Sequence, residues 1–110
     1  MGGERARGVL TILMTAPDAG EGERIVGQLL EEGLIACGNI VPGVVSLYRW
    51  EGEVRRDHEV LIVMKSVTSA VASLLERASE LHPYEVPELL VQPVVGGSDR
   101  YLEWVEQECR

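Results

Sequence analysis

The sequence predicts an α+β fold, a ferredoxin-like split βαβ sandwich in the order βαββαβ with a short C-terminal helix. Three observations carry it. Val9 to Met14 is a nearly continuous apolar, β-branched run, as in a central buried strand. Apolar residues follow a helical stripe through Ile25, Val26, Leu29 and Leu30, then switch to a period of two between Ala36 and Ser66. The helical period returns after Thr68 at Val71, Leu74, Leu75, Ala78 and Leu81. With right-handed crossovers, that order gives a four-stranded antiparallel sheet with two helices on one face.

Each element has its punctuation. Pro17 and Asp18 end the first strand, and Asp18 with Glu21 reads as a helix N-cap and its partner. Gly33 suits the stop of that helix. Asn39 to Val41 is extended, and Pro42-Gly43 marks a bend or bulge. Val44 to Trp50 and Val54 to Lys65 then form one long hairpin about a turn supplied by Gly52. Thr68 is placed to cap the second helix, and Pro83 cannot continue it. Leu89 to Val95 is a short strand ended by Gly96-Gly97, and Ser98 and Asp99 open the last helix. The whole of 1–110 reads as one domain, with about residues 1–8 as a flexible N-terminal tail.

The hairpin is too long for its own domain. Val54 to Lys65 spans about 40 Å at roughly 3.3 Å per residue, against a globule about 34 Å across. The overhang is expected to carry Val45, Leu47, Tyr48, Trp50, Val54 and Val60, which an isolated two-stranded ribbon does not keep stable in water. Pairing with another copy resolves this, with Tyr48, Trp50 and Val54 as interface anchors.

Charge and composition exclude several classes. A formal net charge of −8 opposes a general nucleic-acid binder, which needs a basic surface. No apolar run approaches the roughly 18 residues of a membrane span. Two distant cysteines, Cys37 and Cys109, form no metal-knuckle or redox pattern and fit a reducing compartment, so cytoplasm is the expectation. No Ser-His-Asp order, phosphate loop or H-E-x-x-H motif is present, and no third residue orients a Cys37/His82 pair for thiol catalysis. The chain is expected not to be an enzyme.

Four ordered segments resemble the CutA family of divalent-cation tolerance proteins. They are Ala36-Cys37-Gly38-Asn39-Ile40-Val41-Pro42-Gly43-Val44-Val45-Ser46-Leu47-Tyr48-Arg49-Trp50-Glu51-Gly52-Glu53-Val54, Asp57 to Ser66, Leu81-His82-Pro83-Tyr84-Glu85-Val86-Pro87-Glu88, and Tyr101-Leu102-Glu103-Trp104. The resemblance implies a tight homotrimer joined through the long hairpins, a role in response to metal ions, copper especially, and a likeness to PII signalling trimers. His58, Gly38 and Ser66 depart from the commoner family residues.

Candidate chemistry is sparse. Cys37 with His82 offers a thiolate and an imidazole suited to copper or another divalent cation. The competing reading makes Cys37 a small buried hydrophobe. Asp57, His58 and Glu59 resemble a ligand cluster, but alternation turns His58 away from the two carboxylates. Lys65 is the only lysine, and with Tyr84 it is a candidate for an anion-binding cleft between subunits; a structural ion pair is the plainer role. Two functions follow: a trimeric metal-tolerance protein, or a PII-like trimer sensing a small anion. The expected partners are a second and third copy and a metal ion, with neither nucleic acid nor membrane.

Overall fold

Residues 8–110 are described by the structure, a computed structural model; the expected tail, Gly8 apart, lies outside the described residues. The elements are β1 (Val9–Ala16), α1 (Ala19–Glu31), β2 (Cys37–Trp50), β3 (Glu53–Val67), a 3-10 turn (Thr68–Ala70), α2 (Val71–Leu81), β4 (Leu89–Pro93) and α3 (Asp99–Glu108). The sheet is antiparallel throughout, in the order β2-β3-β1-β4. This is the expected split βαβ arrangement.

Local signals explain most boundaries. The Asp18 carboxylate accepts the Glu21 N–H at 2.8 Å and caps α1. Glu51 and Gly52, at φ of 51° and 82°, make a two-residue turn between Trp50 and Glu53 of the kind that matches strand twist. Thr68 does not cap α2 as expected. Its hydroxyl donates to the Gly8 carbonyl at 3.0 Å, and the intervening 3-10 turn leaves Ala70 at the cap position.

Pairing is continuous from Cys37–Lys65 to Val41–Leu61, then resumes at Val44–Glu59. Pro42-Gly43 thus inserts one extra residue into β2, with Gly43 at φ 79°. Because β3 lacks the extra residue, Val41 and Val44 still share one sheet face. β1 runs out opposite Val60, so beyond the bulge β2 and β3 pair only with each other. That overhang stretches the protomer to 46 × 27 × 23 Å. Leu47 and Val54 are 69% and 68% exposed on it, on the face opposite Tyr48 and Trp50.

The two sheet faces are covered differently. Ile12, Met14, Ile62 and Met64 point toward α1 and α2, meeting Ile25, Val26, Leu29, Leu74 and Ala78 in the main core. Val9 breaks the alternation of β1: it is buried although it points the other way. There α3 folds over one end of the second face, packing Leu102 and Val105 on Val9 and Ala36, with Val67 alongside. The middle of that face, including Leu13, Leu61 and Val63, is only half-buried.

Two family departures have local explanations. Ser66 is fully buried, and its hydroxyl donates to the Leu34 carbonyl at 2.6 Å. Gly38 alternates with Ile40 beneath α1, where a Cβ would lie 2.8 Å and 3.0 Å from the two Val26 methyls. Gly38→Val is therefore expected to destabilise by about 1–3 kcal/mol through overpacking. A second change, Val26→Ala, relieves part of that loss. Denaturant midpoints at one protein concentration for both singles and the double check the coupling.

Candidate functional site

Strand register places the candidate residues at two separate ends of the sheet. Cys37 pairs with Lys65, Lys65 with Thr11, and Thr11 with Gln92, so one row crosses all four strands. All four residues lie on the face that α1 and α2 leave bare. The Lys65 ammonium donates to Asn39 Oδ1, and the Cys37 thiol lies 3.6 Å from the Tyr101 hydroxyl of α3.

His82 belongs to the other end. The C-terminus of α2 drops it beside Thr15, where it is buried to 7% exposure. The Tyr84 N–H donates to His82 Nδ1 at 3.1 Å, so Nε2 carries the proton and donates to the Thr15 carbonyl at 2.7 Å. Both ring nitrogens are engaged, and the ring packs against Tyr84 with centroids 4.8 Å apart.

Within one protomer the members of both candidate pairs stand apart. Thr15 is four residues from Thr11 along β1, about 13 Å at roughly 3.3 Å per residue. Cys37 and His82 are therefore held apart, because the sheet has two ends and each residue sits at a different one. Lys65 and Tyr84 part for the same reason: Tyr84 donates to Glu59 at 2.6 Å, six residues along β3 from Lys65. Among the described residues, no group of three or more His, Cys, Asp or Glu side chains is arranged to hold a metal. The donor set of one protomer does not fit a closed metal site.

A groove of about 640 Å³ runs beside the root of the overhang, lined among others by Tyr48, Trp50, Asp57, Glu59, Tyr84 and Val86. The Tyr48 hydroxyl donates to Asp57. His58 pairs with Val45 on the opposite face, as alternation requires. Val54 also lies away from the groove, so the three expected interface residues occupy both faces of the ribbon. Thr11, Asn39, Gln92 and Tyr101 escaped the sequence reading. Asn39, two residues beyond Cys37, was accessible from alternation alone; Tyr101 depended on where α3 folds.

All three tyrosines resist ionisation. Burial first, then the hydrogen bond to Glu59, pushes Tyr84 well above its ordinary value. Burial and then the contact with Cys37 push Tyr101 up to about 12. For Tyr48 the hydrogen bond to Asp57 comes first. The neutral phenols are favoured by folding, so their contribution is complete below about pH 10 and is lost as pH rises toward the folded values. A phenolate absorbance titration is expected to lag in the native protein relative to the protein in denaturant. Tyr84→Phe removes the last step of that titration.

Comparison with known proteins agrees with the fold. Residues 10–108 match the CutA1 divalent ion tolerance protein family. The divalent-cation tolerance protein CutA of Thermus thermophilus is 45% identical over 96 residues, covering 87% of this chain and 93% of that protein. Its solved structure superposes with a TM-score of 0.90 at 42% identity, covering 93% and 99% of the two chains. The chloroplastic CutA of Arabidopsis thaliana is 40% identical over 101 residues, 92% of this chain, which spans 56% of that longer protein. The chain belongs to the CutA1 divalent ion tolerance family.

Proposed function

We propose that this chain is a non-enzymatic, cytoplasmic homotrimer acting in the response to divalent metal ions, and that it meets copper or a similar cation where its copies join. One observation carries the assembly: a two-stranded ribbon bearing exposed Leu47, Val54 and Trp50, continuous with a half-bare apolar sheet face. An isolated protomer leaves both in water, and the β2 and β4 edges unpaired. A closed ring of copies covers the face and pairs the edges at once. The number three comes from the family resemblance, and the role in metal response from relatives named for divalent-cation tolerance.

Cys37 is the donor that suits copper on this reading. It sits on the bare face, where neighbouring copies supply the further ligands that one protomer lacks. His82 is instead a structural residue, since a metal on its ring displaces a hydrogen bond that already holds the turn in place.

Light scattering is expected to give a trimer mass, and Leu61→Asp, on the bare face, to reduce it to a monomer. In a calorimetric copper titration under reducing conditions, Cys37→Ser is expected to weaken binding by about tenfold or more. His82→Ala is expected to leave the affinity unchanged while costing roughly 1–3 kcal/mol of stability. Copper binding indifferent to Cys37→Ser overturns the metal assignment, and a monomeric native protein overturns the assembly.

A further inference from the structure

The polar row is out of keeping with its surroundings. On one side α3 buries Val9 and Val67 beneath Leu102 and Val105. On the other side the next row across β3, β1 and β4 is Val63, Leu13 and Leu90. Between them runs a trench floored by Cys37, Lys65, Thr11 and Gln92, with Asn39 beside Lys65 and the Tyr101 hydroxyl closing one end.

Hydrogen-bond accounting gives the trench a definite chemical sense. Lys65 directs an N–H to Asn39 Oδ1, and an ammonium cannot accept, so Asn39 turns its amide N–H groups away from Lys65. Thr11 donates to Gln92 Oε1 at 3.3 Å, so the Gln92 amide also turns its N–H groups outward. The Asn39 and Gln92 carbonyls are thus engaged, which leaves their amide N–H groups and the Lys65 ammonium as donors of the trench. Among the described residues no carboxylate lies within 4.0 Å of that ammonium. In a chain of net charge −8 the only lysine thus has no acidic partner among the described residues, where the four ion pairs found all involve arginine.

We propose that this trench binds a small oxyanion, phosphate or carboxylate, with Lys65 supplying the charge and Asn39 and Gln92 the N–H donors. Charge-assisted hydrogen bonds of this kind are short and strong, and two planar amides flanking an ammonium suit an oxyanion with several acceptor atoms. The field of the whole molecule repels anions, so selectivity rests on these local donors. Every group involved belongs to one protomer. The site does not rest on the metal reading, because Cys37 lines the trench without donating a charged hydrogen bond.

The test is a titration of the native protein with inorganic phosphate, and separately with succinate, at constant ionic strength against chloride. Thermal midpoint is read for both, and phosphorus line width for phosphate. A saturable rise in midpoint above the chloride control is expected, and the tighter-binding anion assigns the source as phosphate or carboxylate. Lys65→Met is expected to weaken binding by about tenfold or more, and Gln92→Leu by a smaller factor. Asn39→Asp keeps the shape but replaces the donor with a carboxylate. It is expected to abolish binding while preserving the oligomer, and it decides the matter if Lys65→Met does not fold. No saturable effect above chloride, or an effect in Lys65→Met and Asn39→Asp equal to that in the native protein, overturns the proposal. So does dissociation of the Lys65→Met oligomer with no anion response in the native protein, which makes a neighbouring copy's carboxylate the occupant.

Discussion

Unequal strand length is the constraint on which the rest of the molecule depends. β2 and β3 run for 14 and 15 residues, while β1 has eight and β4 five. No further strand of the described chain pairs with the excess, and only the turn around Tyr84 reaches its root, so the ribbon exposes apolar residues on both faces. Its exposed Leu47 and Val54 are out of keeping with a stable monomer, in which a two-stranded ribbon is marginal. The groove between the ribbon root and the turn around Tyr84 arises from the same mismatch, because the hairpin continues where β1 stops.

Helix coverage then divides the remaining surface. α1 and α2 close one sheet face into the main core, and α3 closes only one end of the other. The uncovered part holds an apolar centre bordered by a row of polar side chains. His82 and Tyr84 stand at the opposite end, committed to Thr15 and Glu59, and they brace the turn that leads from α2 toward β4. Two ends of one sheet thereby take up different tasks.

Most of this was legible from periodicity, since the change from helical to alternating spacing at Ala36 and back after Thr68 sets the order of elements. The Asp18 cap and the Gly52 turn are short-range, and local chemistry reveals them. Thr68 was misread because its hydroxyl found a long-range partner, the Gly8 carbonyl, that no local rule anticipates. The same limit applies to the site. Alternation assigns Cys37 and Asn39 to one face of β2, but register decides that Lys65 shares that face, beside Thr11 and far from Tyr84. Val9 looks like any central strand residue until α3 is known to fold across it. Gly38 gives no sign in the sequence of the Val26 methyls above it.

The bulge at Pro42-Gly43 sits where the four-element sheet gives way to the free ribbon. Its extra residue leaves the side-chain phase of both strands intact, so its effect is on direction: it bends and twists the arm that follows. The residues that would grip a neighbour and the angle at which they arrive are thus written in different parts of the chain. A shortened β2 lacking Gly43 would keep each ribbon side chain on its present face yet point the whole arm elsewhere. The direction of the arm in this protein is therefore separable from the residues that the arm carries.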